Sequence, residues 1–110
     1  MAIKHVKTSE FDEIMDAAPL AMVDFWASWC GPCKMLSPTV EALAEQYEGK
    51  ALVCKVNVDE EPDLARRFGV MSIPTVVFLK NGLCLLKYRR WLALLWHSSN
   101  IAEDSGPTGY

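Results

Sequence analysis

Cys30 and Cys33 stand two residues apart in the stretch Trp29-Cys30-Gly31-Pro32-Cys33-Lys34. Thiols at this spacing suit disulfide exchange. Once the first thiolate is bonded to a foreign sulfur, a second thiol one helical turn along reaches that bond and displaces the partner. The pair follows an apolar run, Leu20 to Trp26, and precedes a helical pattern that begins near Cys33. A strand-to-helix junction is therefore predicted, with Cys30 at or just ahead of the helix N-terminus. Unpaired N–H groups and the macrodipole favour a thiolate there. Pro32 suits the first helical turn, because its φ is already helical and its absent N–H would have found no partner.

A zinc half-site and a structural disulfide are the competing chemistries. Zinc needs four converging ligands, but Cys54 and Cys84 stand alone inside apolar stretches and His5 and His97 lie near opposite ends. Without a secretory signal the four cysteines are not expected to form a disulfide framework. Cys54 reads as a small core hydrophobe.

Asp24 is the other chemistry-bearing position, a lone carboxylate inside the run Leu20-Ala21-Met22-Val23-Asp24-Phe25-Trp26. It belongs either to a frayed edge or to a buried site. Burial would raise its pKa and leave it able to carry a proton for the nearby thiols. Lys55 is the odd charge in the apolar stretch Ala51 to Val58, and reads either as an exposed position near a strand end or as a site partner of Asp24.

The elements that must position these groups follow from the hydrophobic pattern. Ile3 to Val6 is compatible with an edge strand. Ser9 with Asp12 resembles a capping box, and Phe11, Ile14 and Met15 recur at helical spacing until Pro19. Leu20–Trp26 reads as a central strand covered on both faces. Leu36, Val40, Leu43, Ala44 and Tyr47 follow the 3.6 period up to Gly49, with Pro38 inside predicted to kink the helix. Ala51 to Val58 is a second central strand. Pro62 after three acids starts a short helix ending at Gly69. Pro74 stands at the entrance to the strand Val76-Val77-Phe78-Leu79, where it belongs at an edge or in a tight loop. Asn81-Gly82 signals a hairpin. The predicted class is α/β, a central mixed sheet with helices on both faces.

Length and composition set the outer bounds. A chain of 110 residues fits one domain, 1–110, and its net charge of −3 shows no basic excess of the kind nucleic acid would require. The first residues hold no charged region followed by an apolar core, so a cytoplasmic location is expected. Trp91 to Trp96 is far too short an apolar run to span a membrane.

With these features in place, residues 1–82 resemble the thioredoxin family. The resemblance rests on Val23 to Lys34, on Lys55-Val56-Asn57-Val58-Asp59 and on Ile73-Pro74-Thr75. It implies the family's three-layer fold and a lowered pKa for the first thiol, a property the family itself exemplifies. By likeness, Cys30 is the nucleophile, Cys33 the resolving thiol, and Asp24 with Lys55 the buried acid serving Cys33. Pro74 resembles the cis-proline beside the disulfide, with Ile73 offering backbone to an extended substrate. Trp29 and Gly31 would flank the sulfur as a flat contact surface, and Pro32 points to the reducing branch. The implied activity is reduction of protein disulfides, with electrons supplied by a thioredoxin reductase and no bound cofactor.

The likeness stops after Gly82. Trp91 stands about where the family has a groove glycine, and Leu83 to Trp96 is dense in apolar and basic residues before a polar end. Leu83 to Tyr88 is read as the hairpin's second strand and Trp91 to Ile101 as a shortened helix. A reading frame changed near Gly82 would explain the abrupt loss of likeness, and the altered segment would favour a homodimer. The alternative function is a thioredoxin-fold binding or scaffold module with impaired turnover.

Overall fold

A computed structural model of the chain describes residues 3–88. Five strands form one sheet: β1 (Ile3–His5), β2 (Leu20–Trp26), β3 (Leu52–Asn57), β4 (Thr75–Lys80) and β5 (Leu83–Tyr88), in the spatial order β1-β3-β2-β4-β5. β1, β3 and β2 run parallel, whereas β4 is antiparallel to β2 and β5 to β4. Among the described residues three α-helices cover the sheet: α1 (Phe11–Ala17), α2 (Gly31–Gln46) and α3 (Pro62–Arg67). The expected mixed sheet with a helical layer on each face is present.

Alternation along the strands divides the core in two. Ala21, Val23, Phe25, Cys54, Val56, Val77 and Leu79 pack on one face with Phe11 and Met15 of α1 and Leu64 of α3. Met22, Val53, Val76 and Phe78 pack on the other against Leu36, Val40, Leu43 and Ala44 of α2. Leu36 and Val40 are fully buried, a burial that stabilises by about 2 kcal/mol per side chain. Cys54 lies in the first layer, where burial pushes its thiol up to about 12. It packs and does not ionise.

One local reading shifts. The first helix is not capped by Ser9 and Asp12. A 3-10 turn, Thr8–Glu10, precedes it, and Glu10 Oε2 accepts the Lys7 N–H at 3.0 Å while the Glu10 N–H donates to the Lys7 carbonyl at 3.2 Å. That box closes the 3-10 turn, and α1 itself starts at Phe11 without a side-chain cap. The long helix begins at Gly31, with Cys30 as its N-cap and Pro32 in the first turn, where it needs no donor, as expected. Pro38 falls within it, as expected.

The hairpin turn is local in origin. Asn81 and Gly82 adopt φ of 51° and 81°, the pair of positive values that a two-residue turn between right-twisted strands requires. A Cβ at Gly82 would stand 3.0 Å from Asp16 Oδ1. Gly82→Ala will therefore lower stability by about 1 kcal/mol, read by denaturant titration. Leu83–Tyr88 forms the expected second strand. A register shift between Phe78 and Leu79 leaves Leu85 as the extra residue of a bulge, a feature that discourages further strand pairing at an edge. The expected helix from Trp91, the position of Trp91 and the remaining tail lie outside the described residues.

Candidate active site

The carboxyl ends of β2 and β3 and the amino end of β4 meet at one end of the sheet, because β4 runs against β2. Register places Trp26 beside Asn57 and Phe25 beside Thr75. The loops that continue from these strands hold Trp29, Cys30, Asp59, Ile73 and Pro74. Three segments far apart in sequence thus share one corner.

Cys30 is the N-cap of α2, with extended backbone (φ −90°, ψ 110°). Its Sγ accepts the Cys33 N–H at 3.2 Å. That bond takes up one of the helix's unpaired donors, and with the helix dipole it favours negative charge on this sulfur. Cys30 and Cys33 form a disulfide, their Cα atoms 5.3 Å apart, within the span such a bond bridges. Both residues are nearly enclosed, 4% exposed, and pack with Ala27, Trp26, Val58 and Ile73. Gly31 and Pro32 between them are exposed.

Ile73 and Pro74 close the other side. The Ile73–Pro74 peptide is cis, and the Ile73 carbonyl oxygen lies 3.9 Å from Cys30 Sγ. Thr75 Oγ1 donates to the Ser72 carbonyl at 2.6 Å and is itself buried, which fixes the loop as it enters β4. Trp29 remains 68% exposed. Its indole Nε1 donates to Asp59 Oδ2 at 2.8 Å, and Asn57 Oδ1 accepts the Asp59 N–H at 2.9 Å in an Asx turn. A shallow cavity of about 320 Å³ lies beside the disulfide, lined by Trp29, Val58, Val70, Met71, Ser72 and Ile73.

The family model that matches this chain is that of thioredoxin, over residues 2–90. The chain belongs to the thioredoxin family. It is similar to the thioredoxin of Chlorobaculum thiosulfatiphilum, 56% identical over 70 residues, which cover 64% of this chain and 65% of that one. It spans less than two thirds of the length of that relative. It is also similar to the thioredoxin of Staphylococcus haemolyticus, 52% identical over 82 residues, or 74% of this chain and 78% of that one. Among solved structures, a Plasmodium falciparum thioredoxin superposes with a TM-score of 0.79 at 34% identity, covering 88% of this chain and 97% of that one.

In this thioredoxin-family site the acid is buried and not at a frayed edge. Asp24 is 1% exposed on the face of β2 that carries Met22, under α2. Among the described residues neither carboxyl oxygen has a hydrogen-bond partner. Burial pushes its pKa up to about 6, with Lys55 pulling the other way. Lys55 is half-buried and is Asp24's register partner on β3. Sequence reasoning had no role for Asp59 or Ser37. Asp59 closes a stretch already matched to the family, but nothing local aims it at Trp29. Ser37 looks like an ordinary helix residue. Among the described residues no group of three or more His, Cys, Asp or Glu side chains converges as a metal site. No helix among them is long and apolar enough to cross a membrane.

Proposed function

We propose that this thioredoxin-family chain is a protein-disulfide reductase working by dithiol–disulfide exchange. The observation that carries the reading is Cys30 at the N-cap of α2, its sulfur hydrogen-bonded by the Cys33 N–H and joined to Cys33. In the reduced protein the Cys30 thiolate attacks one sulfur of a target disulfide, and the displaced target sulfur leaves as a thiolate that takes up a proton. Cys33 then loses its proton, attacks Cys30 Sγ and releases the second target thiolate. The Cys30–Cys33 disulfide forms as the target gains two electrons. A reductase restores the dithiol.

Asp24 is the proton carrier for Cys33 in this reading, supported by its burial and by a pKa near the working pH. Lys55 tunes it. Trp29, Gly31, Pro32, Ile73 and Pro74 form the contact surface for the target backbone, supported by the cavity between Trp29 and Ile73. The expected partners are proteins bearing accessible disulfides and a thioredoxin reductase, in the cytoplasm.

The test is reduction of insulin with dithiothreitol as electron source. The chain will accelerate precipitation of the insulin chains; a folded protein without effect returns the reading to a binding module. Asp59 adds a second measurement. Asp59→Ala frees the Trp29 indole, and the KM for insulin will rise about fivefold, the equivalent of roughly 1 kcal/mol of lost hydrogen bonding. Reduction of a small aromatic disulfide, which does not span the surface, will stay near the unmodified rate.

A further inference from the structure

Beneath α2 lies a charged pair that the strand register brings together but that does not close. Asp24 on β2 and Lys55 on β3 are direct partners, and cross-strand partners project from the same face. Yet both oxygens of the buried Asp24 carboxyl are without a hydrogen-bond partner. Lys55 Nζ donates instead to Ser37 Oγ of α2 at 3.0 Å. The same ammonium lies 5.3 Å from the centroid of the Trp26 ring, a second attraction holding it in place.

Among the described residues, the surrounding elements supply no other partner for the carboxyl. β1 sets His5 beside Lys55 in register, its ring edge-on to Trp26. β4 sets Val76 opposite Asp24. α2 brings Cys33, bonded to Cys30, while its charged neighbours Lys34 and Glu41 are exposed. Lys55, whose charge acts on Asp24 from the sheet, spends its directed hydrogen bond elsewhere.

We propose that Ser37 is a positioning residue for this pair: by accepting the Lys55 hydrogen bond, it parks the ammonium short of Asp24 and leaves the carboxyl unpaired. A paired carboxylate holds its charge and binds a proton poorly; an unpaired buried one takes and returns a proton near neutrality. The hydroxyl of Ser37 thereby keeps Asp24 fit for proton transfer. This step deepens the role proposed above for Asp24, but its test reads the carboxyl and not turnover.

The experiment follows the Asp24 carboxyl carbon by NMR across a pH titration of the oxidised full-length chain, whose signal is distinct from that of His5. Ser37→Ala will lower the Asp24 midpoint by about one pH unit, as the freed ammonium settles on the unpaired carboxylate. Ser37→Thr, which keeps the hydroxyl, will hold the unmodified midpoint. Lys55→Met will raise it, and adding Ser37→Ala to Lys55→Met will change nothing more, because the serine acts through the lysine. Alanine is a good helix residue, so the fold is retained. Should packing suffer, Ser37→Val against Ser37→Thr repeats the comparison with side chains of nearly equal shape. An unchanged or raised midpoint in Ser37→Ala overturns the proposal, as does a lowered midpoint in the double variant relative to Lys55→Met. If Asp24→Asn leaves turnover untouched, the proton-carrier role fails while the midpoint comparison still decides the place of Ser37.

Discussion

Cys30→Ser will bring insulin reduction down to the rate of dithiothreitol alone, whereas Cys33→Ser will stall after one step. The difference follows from which sulfur starts the exchange. Cys30 caps α2 and receives the Cys33 N–H at 3.2 Å, so its thiolate is the stabilised one and its loss removes the only entry to the reaction. Cys33 sits inside the first turn and, in the proposed exchange, acts on the bond that Cys30 has made. Without it, the chain and its target remain joined through Cys30. Non-reducing electrophoresis or intact mass of Cys33→Ser after exposure to a disulfide substrate will show a one-to-one adduct, and the same treatment of Cys30→Ser will show none. An adduct on Cys33 in the Cys30→Ser variant would reverse the assignment.

Asp24→Asn will slow insulin reduction at pH 7 by at least about tenfold, in line with the loss of a positioned acid–base group, and will stabilise the oxidised protein in a pH-dependent way. Asp24 is 1% exposed without a hydrogen-bond partner, and burial outweighs the pull of Lys55 to raise its pKa from 3.8 to about 6. In the unfolded chain the same carboxyl ionises at the ordinary value. Below pH 3.8 it is neutral in both states and costs nothing by titration. Between 3.8 and about 6 the unfolded chain has released the proton while the folded protein still holds it, so stability falls across that window until the folded protein too carries a buried, unpaired charge. The resulting loss reaches about 3 kcal/mol above that range. Asparagine has no such transition. The stability advantage of Asp24→Asn over the unmodified protein will therefore grow by about 3 kcal/mol between pH 3.5 and pH 8, measured by denaturant unfolding at each pH. A constant difference would mean that Asp24 titrates normally and is no proton carrier.

These two expectations conflict in a useful direction. In the proposed mechanism, the same burial that makes Asp24 costly to the fold also places its proton in the working range, a trade of stability for function at a polar group held in the core.

Much of this was legible in the chain. The period of Leu36, Val40 and Leu43 marked α2, the apolar run marked β2, and Asn81-Gly82 marked the hairpin, all confirmed in place. Cys54 was read as core from its apolar neighbours and is fully buried. The start of α2 is legible too, because Pro32 fits the first turn and Cys30 caps it. One boundary is not: Ser9 and Asp12 look like a cap for α1, whereas Lys7 and Glu10 close a 3-10 turn and α1 begins at Phe11 without a side-chain cap.

By itself, the order of residues determined the spacing of the thiols, the helix start that polarises the first of them, and the strands and turn around them. These depend on dihedral preference and on side-chain period within a few residues. Only the tertiary structure decided that Trp29 donates to Asp59, 30 residues away, that Ile73 stands against Cys30, 43 residues away, and that Lys55 turns to Ser37 and not to Asp24. Such contacts are set by strand register and by the seating of α2 on the sheet, where several acceptors compete for one donor. No local preference ranks those competitors.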